Sequence, residues 1–277
     1  MKEASAYMLI YGHRGAKGEA PENTLAGFRH AYRHGIRRFE MDIILSQDGI
    51  PVVIHDRSLL RTTGNDRAVS AVSAQEMSTL DARQNTATWH HVTGIPSLDE
   101  VVQACPEYEH LQLEVKSDER GRLNRLCNRL VEWIQRENLY QRITLTSSNA
   151  GFLRAARRLD RRISLGYVAE RRFPSPVRQA KTLDCQYLCC NHRICTSAMV
   201  TDADRKGLRL STWTVNRIHD MLELEKMGVE SVITDYPTSA LIYFENRRRL
   251  GHHIETLRGP EPATATESPA GPSSPTG

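Results

Sequence analysis

The 277-residue sequence lacks any hydrophobic run long enough to cross a membrane, since a spanning helix needs about 20 consecutive apolar residues. The apolar stretch near the N-terminus, MLIYG, is too short for the core of a signal peptide and is preceded by Glu3. The net charge is only +4, and no basic tract is interleaved with aromatic residues, so nucleic acid is not an expected partner. These absences predict a cytoplasmic protein without stable membrane insertion.

Cysteine is scarce and irregularly spaced. The six cysteines show no paired spacing typical of a zinc site, and four of them cluster in CQYLCCNHRIC at 185–195. Because a reduced cysteine behaves as a small hydrophobic residue, we interpret this cluster as a buried strand rather than a disulfide framework or zinc site. A reducing compartment agrees with that interpretation.

Strand and helix patterns alternate along nearly the whole chain. Strands are predicted at 7–12, 38–45, 110–116, 142–148, 163–169, 186–191, 208–215 and 230–236. Helices are predicted at 24–35, 73–82, 122–138, 151–160, 197–207 and 218–228. Eight strands joined by helical crossovers predict an α/β fold, the (β/α)8 TIM barrel.

Two segments depart from this alternation. The turn SQDG at 46–49 leads into PVVIHD at 51–56, which predicts a β-hairpin after the second barrel strand. The long polar region 57–95 would lie above the strand ends as a lid or substrate wall. We expect residues 1–258 to form the barrel domain and residues 259–277, rich in Pro, Ser, Thr and Gly, to form a disordered tail.

Charged residues interrupt two of the apolar strands. In FEMDIIL, Glu40 and Asp42 lie two residues apart and therefore share one face of the strand. Glu114 and Lys116 repeat this arrangement in LEVK. Because isolated buried charges are costly, we predict that these side chains converge on one polar site at the carboxyl ends of the strands. The structural alternative is that the carboxylates are buried ion-pair partners of Arg14 and Lys116.

The residue types at this site indicate a metal and a phosphate. Glu40, Asp42 and Glu114 are hard oxygen donors without a cysteine among them, which favours one divalent cation such as Mg²⁺, Ca²⁺ or Mn²⁺. Arg14 and Lys116 would repel that cation unless an anion joined them, and phosphate binds well to both side chains. The predicted ligand is a small molecule that carries a phosphate group.

Two histidines and one tryptophan complete the predicted site. His13 and His55 each fall at a strand end beside the acidic cluster, where a side chain that titrates near neutral pH suits proton transfer. Trp213 ends the seventh predicted strand and would either pack on the organic part of a substrate or cover the core. Arg171 and Arg172 are interpreted as solvated surface charge.

With these residues assembled, the sequence resembles the glycerophosphodiester phosphodiesterase family. The matching strings are HRG (13–15), PENT (21–24), EMDI (40–43), DGIPVVIHD (48–56), RTTG (61–64), IPSLDEV (95–101), LEVKS (113–117), WTVN (213–216) and VITDYP (232–237). The resemblance implies a metal-dependent barrel that hydrolyses glycerophosphodiesters, such as glycerophosphocholine or glycerophosphoethanolamine, to sn-glycerol 3-phosphate and an alcohol.

The resemblance also implies a role for each site residue. His13 and His55 match the catalytic histidines, and Arg14 and Lys116 match residues that contact phosphate. Trp213 matches an aromatic residue on the substrate side. The metal ligands of the family correspond to Glu40, Asp42 and Glu114. Acid and base catalysis by the histidines would proceed through a cyclic phosphate.

Three alternatives remain open at this point. A related phosphodiester lyase, similar to the sphingomyelinase D group, would stop at the cyclic product. A lysophospholipase D would differ only in the chain that the glycerol carries. A binding module without catalytic activity would be expected to lose at least one histidine, yet both are present. The sequence does not decide the metal, the preferred alcohol, which histidine starts as the base, or the oligomeric state.

Overall fold

The computed structural model of the chain describes residues 8–86 and 88–258. The chain divides into two compact units, Met1–Leu241 and Ile242–Gly277. The predicted tail at 259–277 lies outside the described residues, and the proposed domain boundary after residue 258 stays a prediction. Among the described residues, no helix combines the length and the apolar character that crossing a bilayer requires.

Eight parallel strands of the first unit close into a barrel. The strands of the described residues are β1 (Leu9–His13), β2 (Arg38–Leu45), β3 (Pro51–Val53), β4 (His110–Val115), β5 (Ile143–Ser147), β6 (Ser164–Ala169), β7 (Tyr187–Asn191), β8 (Arg209–Trp213) and β9 (Ser231–Thr234). The order around the barrel is β1, β9, β8, β7, β6, β5, β4, β2, and pairing of β1 with β2 closes it. Strand β3 pairs antiparallel with β2, as the predicted hairpin requires. The predicted TIM barrel is therefore confirmed.

Helices connect the strands. Those of the described residues are α1 (Leu25–Arg33), α2 (Leu60–Thr63), α3 (Ala74–Thr79), α4 (Leu98–Ala104), α5 (Arg120–Arg136), α6 (Ala150–Leu159), α7 (Pro176–Thr182), α8 (Ser197–Arg205), α9 (Ile218–Lys226) and α10 (Pro237–Arg258). All six predicted helices are present. Sequence analysis missed the four-residue α2 and also α10, whose 22 residues show little amphipathic periodicity. It also missed α4 and α7, which span seven residues each and are too short for a clear periodic pattern. Their caps were visible signals, a capping box of Ser97 and Glu100 for α4 and Ser175 before Pro176 for α7.

The alternation of side chains along β2 positions the charged residues. Phe39, Met41 and Ile43 are fully buried, and the ring of Phe39 packs edge to face against Phe28 of α1 with ring centroids 5.6 Å apart. These three residues therefore face the surrounding helices. Side chains on a strand alternate, so the intervening residues of β2 point into the barrel.

Residues 57–95 pack on a hydrophobic cluster beside β2 and β3. The predicted helix at 73–82 is observed as α3, and α2 and a 3₁₀ turn at Val69–Ala71 precede it. The cluster buries Ile44, Val52, Ile54, Leu59, Val69, Val72, Met77, Ala82 and Ile95. Despite its polar composition, this region therefore has its own buried hydrophobic residues and packs against the outside of the barrel. We call residues 57–95 the excursion.

The cysteines behave as reduced hydrophobic residues. All six are free thiols, and Cys195 is only partly buried. The other five are buried, namely Cys105, Cys127, Cys185, Cys189 and Cys190. Two of these belong to β7, which agrees with the strand predicted for the cysteine cluster.

Candidate active site

A cavity of about 210 Å³ opens at the carboxyl ends of the barrel strands. This is the end at which TIM-barrel active sites are built. Seven of the eight predicted site residues line the cavity: His13, Arg14, Glu40, His55, Glu114, Lys116 and Trp213. The eighth, Asp42, is 1% exposed and contacts two of them. Among the described residues of 57–95, none lines this cavity, and the role of the region as a lid or substrate wall stays a prediction.

Three carboxylates meet at the base of the cavity. Glu40 and Asp42 lie on β2, and the register of β2 with β4 places Asp42 directly beside Glu114. One oxygen from each of the three groups lies within 4.8 Å of the others. Glu40 and Asp42 are 4% and 1% exposed, so solvent screens their repulsion poorly.

Two cations pair with part of this cluster. The Lys116 Nζ atom lies 2.9 Å from Asp42 Oδ1 and 2.7 Å from Glu114 Oε1. The Arg14 Nε atom lies 3.0 Å from Asp42 Oδ2. These ion pairs are the ones expected if the carboxylates had only a structural role. They involve Asp42 and Glu114, and none includes the carboxylate of Glu40. Within the described part of the chain, Glu40 Oε1 is buried and has no hydrogen-bond partner.

The pKa values of the three carboxyl groups move in different directions. Burial raises the pKa of Glu40 well above its usual value, and the charges of Asp42 and Glu114 add to this rise. Burial also raises the pKa of Glu114, although Lys116 opposes the effect. For Asp42 burial acts in the same direction, but Arg14 and Lys116 outweigh it and hold the pKa below its usual range. A further cation between these groups would stabilise all three as anions.

These observations fit a hard divalent cation. The donors are carboxylate oxygens, the oxygens converge, and the orphaned Glu40 Oε1 lacks the partner that a buried acceptor requires. The structure brings together the three carboxylates that were predicted to converge, Glu40, Asp42 and Glu114, and their role as metal ligands stays a prediction.

His13 is held by an acidic partner from the far end of the sequence. Its Nδ1 atom lies 2.5 Å from Asp235 Oδ1, and its Nε2 atom lies 3.8 Å from Glu40 Oε2. The other oxygen of Asp235 accepts a 2.8 Å hydrogen bond from Asn216 Nδ2. Burial lowers the pKa of His13, although its hydrogen bond to Asp235 opposes the effect. The neutral ring is thereby held with Nδ1 bound and Nε2 available.

His55 has the same kind of support. Its Nδ1 atom lies 2.6 Å from Asp56 Oδ1, while Asp56 Oδ2 accepts a hydrogen bond from Arg61 Nε. Burial lowers the pKa of His55, against the influence of the Asp42 charge, which raises it. Each histidine of the cavity therefore belongs to a histidine and aspartate pair that fixes the ring.

Sequence analysis missed a buried carboxylate that joins the two sides of the site. Glu22 is 2% exposed and accepts a 2.8 Å hydrogen bond from Arg14 Nη1. It also accepts bonds of 2.8 and 2.7 Å from the two terminal nitrogens of Arg61 and one of 2.7 Å from Asn85. Burial would raise the pKa of Glu22, but Arg61 and Arg14 lower it to about 2. A continuous chain of bonds thus runs from Arg14 through Glu22, Arg61 and Asp56 to His55.

A strained turn carries Arg14 into this chain. Arg14 and Asn23 both adopt left-handed backbone angles, with φ of 51° and 52°. Residues other than glycine rarely adopt this conformation. The two are joined by a 2.9 Å hydrogen bond from the Asn23 N–H to the Arg14 carbonyl, and Asn23 Nδ2 donates to Asp42 Oδ2 at 2.9 Å. Strain of this kind persists where the surroundings hold it, and it concentrates at functional sites.

The part of the cavity wall that follows β6, β7 and β8 contains both apolar and polar side chains. Trp213 is half-buried, packs on Val168, Tyr187 and Cys189, and donates a 3.1 Å hydrogen bond from Nε1 to the Cys189 carbonyl. Its side chain therefore covers core and also lines the cavity, and its contact with a substrate stays a prediction. Glu170 also lines this wall.

Comparisons with known proteins point to one family. The sequence profile of the glycerophosphoryl diester phosphodiesterase family matches residues 13–239. A glycerophosphodiester phosphodiesterase of Caldanaerobacter subterraneus subsp. tengcongensis is 29% identical over 234 residues, which are 84% of this chain and 96% of that protein.

Solved structures give the same result for the fold. A phosphodiesterase of Oleispira antarctica, determined in complex with the product sn-glycerol-3-phosphate, is 30% identical with a TM-score of 0.76, over 84% of this chain and 95% of that one. A glycerophosphoryl diester phosphodiesterase structure from Silicibacter pomeroyi has a TM-score of 0.79 at 24% identity, over 88% and 95% of the two chains.

Proposed function

We propose, from the premise that this chain belongs to the glycerophosphoryl diester phosphodiesterase family, that its substrates include glycerophosphocholine or glycerophosphoethanolamine. The protein is a glycerophosphodiester phosphodiesterase, a phosphoric diester hydrolase. The products would be sn-glycerol 3-phosphate and the free alcohol. The observation that carries this proposal is the meeting of two histidine and aspartate pairs, three carboxylates and two cations in one cavity.

Glu40, Asp42 and Glu114 would hold one divalent cation, with Mg²⁺, Ca²⁺ and Mn²⁺ as candidates. A bound cation of this kind neutralises phosphate charge and polarises the phosphoryl oxygens. The orphaned oxygen of Glu40 and the carboxylate donor set support this role.

Arg14 and Lys116 would bind the phosphodiester. Arg14 is oriented by Glu22 and Asp42, so its guanidinium is already in place before the substrate arrives. Lys116 bridges Asp42 and Glu114 and contributes a point charge. Charge-assisted hydrogen bonds of this type are about twice as strong as neutral ones.

The two histidines would move the protons. One ring accepts the proton of the glycerol hydroxyl next to the ester at Nε2, since Asp235 or Asp56 binds Nδ1. That hydroxyl attacks phosphorus within the same molecule, and such positioning is worth about 7–11 kcal/mol in favourable cases. The other histidine protonates the departing alcohol, which leaves a cyclic phosphate. Water opens this ring with the histidine roles reversed.

Trp213 would pack on the organic part of the substrate. The indole is held by its bond to the Cys189 carbonyl and by the side chains below it, so little ordering is needed when a substrate binds.

The experiment that tests this function follows both possible phosphate products. The protein is incubated with glycerophosphocholine, with EDTA or with each of the three metals, and glycerol 3-phosphate and cyclic glycerophosphate are measured over time. We expect metal-dependent release of glycerol 3-phosphate. A cyclic phosphate that accumulates as the end product would identify a lyase, and no product with any metal would contradict the proposal for this substrate.

Arg61 is expected to position the site without touching the reacting atoms. Arg61→Lys keeps the charge but cannot bridge Glu22 and Asp56 with a planar fork, so His55 and Arg14 lose a shared support. We expect kcat to fall about 10–100-fold, the usual range for removal of a group that orients functional residues. Steady-state kinetics on glycerophosphocholine measure the effect.

The matched control for that variant is Arg67→Lys. Arg67 belongs to the same excursion and pairs with the exposed Glu76, and it does not line the cavity. Its kcat should stay within about twofold of the wild type, since exposed ion pairs contribute little. A folded Arg61→Lys protein with normal kcat would contradict the positioning role.

A further inference from the structure

Three neighbouring loops on one side of the cavity mouth carry arginines without partners. Arg171 and Arg172 follow β6, Arg193 follows β7 and Arg217 follows β8. All four are exposed, and their guanidinium groups make no hydrogen bond or ion pair within residues 8–86 and 88–258. Since β6, β7 and β8 are consecutive in the barrel, their loops lie side by side.

These three loops carry a net positive charge. Their sequences are ERRFPS at 170–175, NHRICT at 191–196 and TVNR at 214–217, in which Glu170 is the single acidic residue. Four arginines against one glutamate leave a net charge of +3. Glu170 also lines the cavity and therefore lies on the inner side of the loops. An anionic partner would complement this surface.

An aromatic side chain projects from the same loops. Phe173 is 87% exposed, the highest value among the exposed large hydrophobic residues. Tyr236, which follows the adjacent β9, is 44% exposed. A phenyl ring left almost wholly in water beside cations has the chemistry of a side chain that enters the interfacial layer of a bilayer.

We propose that this cationic rim, defined as Arg171, Arg172, Phe173, Arg193 and Arg217, docks the barrel on an anionic lipid surface. The ring of Phe173 enters the boundary between headgroups and acyl chains, and the arginines contact lipid phosphates. The cavity mouth then opens beside the membrane, where phosphodiesters that carry an acyl chain are found. The docking is peripheral and reversible, and it does not rest on the proposed catalytic activity.

Vesicle binding tests the proposal. The whole protein is sedimented with phosphatidylcholine vesicles and with vesicles that contain about a third phosphatidylglycerol. We expect binding to the anionic vesicles alone, and weaker binding at high ionic strength. The double variant Arg171→Gln/Arg172→Gln should bind about 30-fold more weakly and Phe173→Ser about tenfold more weakly.

The chain offers matched controls at the other end of the barrel. Leu159, 48% exposed, ends α6 and is flanked by the exposed Arg158 and Arg161. Leu159→Ser and Arg158→Gln/Arg161→Gln make the same chemical changes there and should bind like the wild type. Circular dichroism checks that each variant is folded.

Three outcomes would overturn the proposal. The first is no binding to anionic vesicles, and the second is equal binding to vesicles with and without phosphatidylglycerol. The third is an equal loss of binding in the control variants, which would show that total charge alone decides. Retention of the protein on a DNA fragment without any vesicle binding would assign the rim to nucleic acid instead.

Discussion

His13→Ala and His55→Ala are each expected to lower kcat about 10²–10⁴-fold on glycerophosphocholine, the usual contribution of a positioned acid or base. Neither change should unfold the protein, because each ring lies at the cavity and leaves the surrounding barrel strands intact. Removal of His13 also leaves Asp235 with its bond from Asn216, so that carboxylate keeps a partner. Initial rates at saturating substrate measure the loss.

The leaving group distinguishes the two histidines. A glycerophosphodiester with a p-nitrophenol leaving group needs no protonation of the departing oxygen, so the variant that lacks the general acid should regain most of its rate of p-nitrophenol release. The cyclic phosphate should then accumulate, because the same histidine is the base of the second step. The variant that lacks the base should stay inactive on both substrates. His91→Ala, an exposed residue outside the cavity lining, serves as the control. Near-normal turnover in both folded active-site variants would refute the mechanism.

Chelation of the metal is expected to abolish activity and to lower Tm. A metal at about 100 times its Kd adds about 2.7 kcal/mol to the free energy of unfolding. For a domain of this size the corresponding rise in Tm is about 5–10 °C. We expect EDTA to remove this stabilisation and one of Mg²⁺, Ca²⁺ and Mn²⁺ to restore it.

Glu40→Gln tests whether that rise comes from the predicted site. Glutamine keeps the size of the side chain but loses the charge that would bind the cation, so most of the rise in Tm should disappear. Activity should fall by at least about 100-fold, since even groups behind a metal ligand cost 10–100-fold. Glu132→Gln, an exposed residue of α5, is the control and should respond to metal like the wild type. An unchanged rise in Tm in Glu40→Gln would place the cation elsewhere.

The strands and most helices of the barrel could be predicted, because the hydrophobic periodicity of each one is contained in its own short segment of sequence. The strand predicted at 38–45 is observed with the same ends. Apolar residues alternate with the two carboxylates there, and this two-residue period indicates a strand and not a helix. The short helices α4 and α7 were missed, because seven residues hold too few turns to display an amphipathic face. The 22-residue α10 was missed for another reason, since its sequence shows little amphipathic periodicity.

The residues that support the site were less visible. Glu22, Arg61 and Asp235 all lie in strings that resemble the family, yet nothing local identifies their partners. Arg61 bonds to a residue 39 positions away, and Asp235 bonds to one 222 positions away. Such contacts depend on closure of the barrel, which periodicity does not reveal. The hydrophobic residues of 57–95 pack beside β2 and β3, a contact that the polar composition of this region did not indicate.

The bond between His13 and Asp235 has a consequence for the newly made chain. The two residues are 222 positions apart, so at about 5–20 residues per second the aspartate leaves the ribosome roughly ten seconds or more after the histidine. The three clustered carboxylates of β2 and β4 are synthesised within that interval, but the histidine has no acidic partner until Asp235 follows. A nascent chain released before its ninth strand would therefore hold His13 without its acidic partner and would also lack the strand that pairs with β1.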